Sequence, residues 1–102
     1  MSKKFEELEL KVLEWAHKKG LLAESNASKQ LHKTVSELGE LADAFIKGDD
    51  KGVLMELGDV LVCIIIFANQ LGIDPTDCLC LAQEKISKRT GKTVDGVFIK
   101  DE

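Results

Sequence analysis

Between Val53 and Phe67 the chain is apolar except for Gly58 and two acids, Glu56 and Asp59. On a helix advancing about 100° per residue, these acids share a stripe with Val60, Cys63 and Phe67, so they do not fall on a separate solvated face. An unpaired buried carboxylate costs several kcal/mol, so a fold that encloses this segment must supply a compensating cation. A second acidic pair, Glu37 and Glu40, lies upstream across a turn at Gly48, Asp49 and Asp50. Each pair is spaced i, i+3 and points to one side of its helix. Two helices folded together at that turn would place four carboxylates in one cleft. Oxygen ligands without His or Cys favour a hard ion, Mg²⁺ or Mn²⁺, over zinc. The competing reading is an exposed strip of acids on an ordinary helical bundle.

The remaining periodicity is helical. Phe5, Leu8, Val12 and Trp15 predict a helix over about 3–19, closed by Gly20. Leu21 to Ser25 form a loop, and Ser25 or Asn26 caps a second helix that runs to Lys47 with Leu31, Val35, Leu38, Ala42 and Phe45 inward. Asp49 or Asp50 caps a third over about 51–71, apolar nearly all round, expected to be buried in its own bundle and against another subunit. Asp74 and Pro75 start a fourth, running to about Arg89 and burying Cys78, Leu79, Ala82 and Ile86. Val94, Val97 and Ile99 alternate in a tail expected to pack as an extended arm.

Beside the apolar arc of the second helix, Asn26, Gln30, Lys33, Glu37 and Glu40 share a polar stripe. Gln30 and Asn26 can hydrogen-bond a base or sugar. Lys33, one turn before Glu37, can grip a phosphate or simply form an i, i+4 ion pair. Trp15 is either a core anchor or a stacking surface for a base. Lys85, Lys88 and Arg89 either complement the dipole of the fourth helix or clamp phosphate opposite the acids. His17 and His32 do not stand at ligand spacing and read as surface or packing residues.

The chain has 102 residues, a net charge of −4 and 31% charged residues, with one proline and no tyrosine. That describes one helical domain, 1–102, with a core over about 5–90 and a tail over 91–102. The acidic balance argues against nucleic-acid binding driven by overall charge. Cys63, Cys78 and Cys80 match neither a zinc knuckle nor a redox pair and read as small apolar residues in a reducing cytosol. The run Val60 to Ala68 is too short to cross a bilayer, and the charges at Lys3, Lys4, Glu6 and Glu7 leave no signal-peptide core. The expected location is the cytoplasm, with no membrane partner.

Lys33 to Leu41, containing Ser36-Glu37-Leu38-Gly39-Glu40-Leu41, followed by Glu56-Leu57-Gly58-Asp59-Val60, resembles the MazG family of nucleoside triphosphate pyrophosphohydrolases in the all-α NTP pyrophosphatase group. The family pattern is Glu-Glu-x-x-Glu followed by Glu-x-x-Asp, and the resemblance spans about 5–90, including Trp15-Ala16 and Leu71-Gly72-Ile73-Asp74. Ser36 stands where the family has its first glutamate. The resemblance implies an all-α, four-helix bundle-type protomer that forms a dimer or tetramer, with sites partly shared between subunits. It also implies Mg²⁺-dependent hydrolysis of a nucleoside triphosphate to monophosphate and pyrophosphate. Glu37, Glu40, Glu56 and Asp59 would then bind metal, and Glu37 or Glu40 would serve as general base. Lys33, Lys85, Lys88 and Arg89 would bind phosphate, and Trp15, Asn26 and Gln30 the base or sugar. A ferritin-like dimetal oxidase would need Glu-x-x-His pairs, which are absent. A non-enzymatic helical oligomerisation module is the other alternative, and charged residues are depleted from interface cores.

Overall fold

The computed structural model describes residues 4–101. Four helices, α1 (Phe5–Lys18), α2 (Ala27–Ile46), α3 (Asp50–Gln70) and α4 (Pro75–Ser87), precede two strands, β1 (Gly91–Val94) and β2 (Val97–Lys100). The first of these helices starts at Phe5, and residue 3 of the expected span lies outside the described residues.

Three of the helices stop in the same way. Gly20, Gly48 and Gly72 take φ of 70°, 72° and 69°, a conformation that costs glycine little. The next amide then folds back onto the helix: Leu21 N–H to Ala16 O, Asp49 N–H to Ala44 O and Ile73 N–H to Ala68 O, at 2.9 to 3.0 Å. This closure satisfies carbonyls that the helix end leaves open. Asp49 Oδ1 accepts from Gly52 N–H and Asp74 Oδ1 from Thr76 N–H, both at 2.9 Å, which starts α3 and α4. The expected cap on α2 is not formed. A 3₁₀ turn over Glu24–Asn26 runs directly into the helix, and the Asn26 side chain makes no capping bond.

Helices α2 and α3 form the main packed pair, and α1 lies on α3. Ala16, Ala44, Val60, Cys63, Ile65, Ile66 and Ala68 make up the buried apolar core. Gln70 is buried among them at 4% exposure, and its Nε2 donates to Leu21 O at 2.7 Å. That bond ties the loop after α1 to the end of α3, which holds α1 against the central pair.

The expected four-helix closure does not occur within one protomer. Among the described residues, helix α4 touches only α3 and contains no buried residue, so Cys78, Leu79, Ala82 and Ile86 are open to solvent. The radius of gyration is 16.2 Å, against about 13 Å for a compact chain of this length. Accessible area is 8305 Å², where a compact 11.2 kDa protein would expose roughly 5,700 Å². Helix α3 accounts for part of the excess. It buries Val60, Cys63, Ile65 and Ile66 on one flank and leaves Leu54, Met55, Leu57, Leu61 and Ile64 exposed on the other. By length and composition α3 could cross a membrane, its most apolar 18-residue stretch having a mean hydropathy of 2.0. Glu56 and Asp59 sit within that span, and one flank is packed on α1 and α2.

The chain end is a β-hairpin where an extended arm was expected. Val94 pairs with Val97 around Asp95 and Gly96, whose φ values of 50° and 78° suit a tight two-residue turn. Replacing Gln70 with Ala should lower stability by about 1–3 kcal/mol, because the Leu21 carbonyl loses its buried donor. Urea unfolding at fixed protein concentration measures it, and an unchanged midpoint would contradict the tie.

Candidate metal centre

Glu37 on α2 and Glu56 and Asp59 on α3 face each other across the helix pair, and one carboxylate oxygen from each lies within 4.8 Å of the other two. The i, i+3 spacing puts Glu56 and Asp59 on one side of α3, and the α2–α3 packing brings Glu37 to them. Glu37 is the most enclosed, with its side chain 12% exposed. Its Oε1 accepts from Lys33 Nζ at 3.3 Å. Its Oε2 and the Oε2 of Glu56 are buried with no hydrogen-bond partner.

Such oxygens normally find a partner. Here the surroundings provide mostly more negative charge, and the protonation equilibria respond. Glu37 is held below the ordinary carboxylate value, chiefly by a hydrogen bond from Glu40 and then by Lys33. Glu40 is correspondingly raised, chiefly by Glu37. Glu56 is raised by desolvation first and then by Glu40 and Glu37. Lys33 is raised by its hydrogen bond to Glu37. The donor set is all oxygen, with two buried atoms lacking partners, and it fits a hard divalent cation such as Mg²⁺ or Mn²⁺.

Glu40 stands outside the trio, exposed, and lines a polar cavity of about 270 Å³ with Glu56, Asp43, Lys47 and Asp49. The sequence reading passed over Asp43 and Lys47. Their signal was present, since they follow Glu40 at i+3 and i+7 on the same helical stripe.

The other expected site residues are scattered. Gln30 uses its Nε2 on Cys63 O at 3.4 Å, linking α2 to α3. Asn26 is half-buried at the start of α2. Trp15 is 51% exposed on α1, neither a core anchor nor part of the polar cavity. Lys85, Lys88 and Arg89 are exposed at the end of α4, which does not touch α2 within the protomer. Ser36, His17 and His32 are exposed. A larger groove, about 420 Å³ between α1 and the far end of α3, holds no such group of carboxylates.

In comparison with known proteins, the family model of the MazG nucleotide pyrophosphohydrolase domain matches residues 26–94, more than half of the chain and all of α2, α3 and α4. No curated protein and no solved structure matches it.

The stability of the metal-free centre depends on pH with opposing signs. Glu40 and Glu56 lie above the ordinary value of 4.5, so their contribution is present below that value and lost as pH rises through the folded ones. Glu37 lies below it and contributes in the opposite sense. A divalent cation must displace the protons that Glu40 and Glu56 retain. The rise in Tm on adding Mn²⁺ should therefore be at least about twice as large at pH 8 as at pH 5. Thermal unfolding in Mn²⁺ and in EDTA measures this, and equal shifts at both values would count against the centre.

Proposed function

The chain belongs to the MazG nucleotide pyrophosphohydrolase family, and from that premise we propose that it hydrolyses nucleoside triphosphates between the α and β phosphates. The products are a nucleoside monophosphate and pyrophosphate, the cation is Mg²⁺ with Mn²⁺ as a substitute, and the role is clearing unwanted nucleotides from the pool. One observation supports this reading above the others: the unpartnered oxygens of Glu37 and Glu56 beside Asp59, an acidic trio that wants a cation.

Glu37, Glu56 and Asp59 would hold the cation, which would supply charge neutralisation at phosphate oxygens and acidify a nearby water. Glu40 is the general base. It reaches Glu37 and Glu56 yet lies outside the trio, it opens onto the polar cavity, and Glu37 raises its proton affinity. It takes the proton as the water oxygen bonds to the α-phosphorus, and the bond from that phosphorus to the bridging oxygen breaks to release pyrophosphate. Lys33 has a side chain 64% exposed beyond its contact with Glu37 and can turn to a phosphate oxygen.

Along α2 the order Glu40, Glu37, Lys33, Gln30, Asn26 runs from acids to neutral amides. A triphosphate bound at the acids would point its sugar and base toward Gln30 and Asn26, with Trp15 available for stacking. Lys85, Lys88 and Arg89 do not reach the acids of their own protomer, so in this reading they act on the site of another subunit in a dimer or tetramer.

With Mg²⁺, a panel of dNTPs and NTPs separated by ion exchange should give monophosphate plus pyrophosphate, and EDTA should abolish it. Diphosphate plus orthophosphate, or no turnover of any nucleotide, would overturn the proposal. Glu40→Gln should lower kcat by at least ~10² while the Mn²⁺-induced rise in Tm persists. Near-normal turnover would remove Glu40 from its role.

A further inference from the structure

The hairpin fixes an aromatic ring beside the end of α4. Phe98 pairs with Thr93 and Gly91 with Lys100, so Phe98 and Gly91 are diagonal neighbours across the two strands. A Cβ on Gly91 would lie 2.8 Å from Phe98 Cζ. The ring therefore rests on the glycine, and the missing side chain is what lets it settle there. Phe98 is still 47% exposed. With Gln83, Ile86, Ser87 and Arg89 it lines a cavity of about 520 Å³ between α4 and the hairpin, within the range of small-ligand pockets, roughly 300–1,000 Å³. Gln83, Ile86 and Ser87 stand at i, i+3 and i+4 and share one face of α4.

The lining combines three chemistries. Phe98 and Ile86 offer apolar surfaces to the faces of a flat ring. Gln83 offers an amide donor and acceptor to its edge, and Ser87 Oγ, which donates to Glu84 O at 2.8 Å, keeps its capacity to accept. Arg89 offers a guanidinium that matches a phosphate in bidentate fashion. The charge around the cavity agrees with an anionic ligand. From residue 84 to 101, Lys85, Lys88, Arg89, Lys92 and Lys100 outnumber Glu84, Asp95 and Asp101, and among the described residues none of these five joins an ion pair. One aromatic ring and one cavity suit a single base. Binding of a single strand instead uses aromatic platforms for successive bases, and the net charge of −4 disfavours a polyanion.

We propose that the cavity between α4 and the hairpin is a second nucleotide site, separate from the acidic centre, which binds one nucleoside monophosphate without a metal ion. The base lies between Phe98 and Ile86 with its edge on Gln83, and the phosphate lies on Arg89. One guanidinium in the lining matches one phosphate. The site is distinct from the acids because α4 does not touch α2, which carries Glu37 and Glu40. Arg89 here serves its own chain, while Lys85 and Lys88 form no part of the lining. The site goes beyond the hydrolase reading and does not depend on it.

The test is a titration of the full-length, ¹⁵N-labelled chain with AMP in EDTA, followed by amide chemical shifts. The amides of Gln83, Ile86, Ser87, Arg89 and Phe98 should move and saturate, while those of Glu37, Glu40, Glu56 and Asp59 stay in place. Phe98→Ala should weaken binding at least ~10-fold. Gln83→Leu, which leaves the hairpin untouched, should weaken it at least ~5-fold. Ribose 5-phosphate, which lacks the ring, and adenosine, which lacks the phosphate, should each bind at least ~10-fold more weakly than AMP. No movement at these amides in millimolar AMP, shifts centred on the acids, or unaltered affinity in Gln83→Leu would overturn the proposal. So would ribose 5-phosphate binding as tightly as AMP, which would mean an anion patch only. An oligo-dA strand of about ten nucleotides that binds more tightly per base than AMP would mean a single-strand surface and overturn it as well. None of these readouts involves turnover or a metal ion, so the second site and the hydrolase reading can fail separately.

Discussion

Like charges brought together at the seam of two apolar helices are the constraint on which this structure turns. Helices α2 and α3 pack because Ala44, Val60, Cys63 and Ile66 exclude water between them, and the same packing sets Glu37 against Glu56 and Asp59. Without a cation the fold must accommodate this by moving protons. Glu37 drops, Glu40 and Glu56 rise, and Lys33 offers a single counter-charge at 3.3 Å. Residues arranged only for stability would not leave two carboxylate oxygens buried and unpartnered in that position. The energetic cost at the seam and the capacity to bind a hard cation have one origin.

The second constraint is apolar surface that one protomer does not cover. Among the described residues, α3 is packed on one flank and bare on the other, α4 contains no buried residue, and both strands of the hairpin are exposed throughout. The bare flank and the acidic centre belong to the same two helices, so covering the former would change the solvation of the latter. A drier seam would strengthen each electrostatic contact within it.

Much of this was legible in the residues. The helices announce themselves through period 3.6, and the stops at Gly20, Gly48 and Gly72 through glycine, because a positive φ is a local property that only the chain itself decides. The convergence of Glu37, Glu56 and Asp59 was legible because two i, i+3 pairs flank a short turn. What was not legible depended on tertiary placement. The apolar pattern of α4 reads the same whether its partner is its own chain or another, so burial of Cys78, Leu79, Ala82 and Ile86 within the protomer was expected and is absent. Asn26 has the chemistry of a cap, but a 3₁₀ turn leads into α2 and leaves its side chain unused. The hairpin was missed although Asp95-Gly96 between two valines is a strong turn signal, because the alternation around it was read as a single extended segment.

Calorimetric titration of Mn²⁺ into the protein at pH 8 tests the central claim most directly, with Glu56→Gln, Asp59→Asn and the distant Glu84→Gln compared with the unaltered chain. The account predicts that the first two weaken binding at least ~10-fold while Glu84→Gln leaves it unchanged, all with the same helix content. Equal affinity in all four proteins would contradict it, since the acids at the α2–α3 seam would then not be what holds the ion.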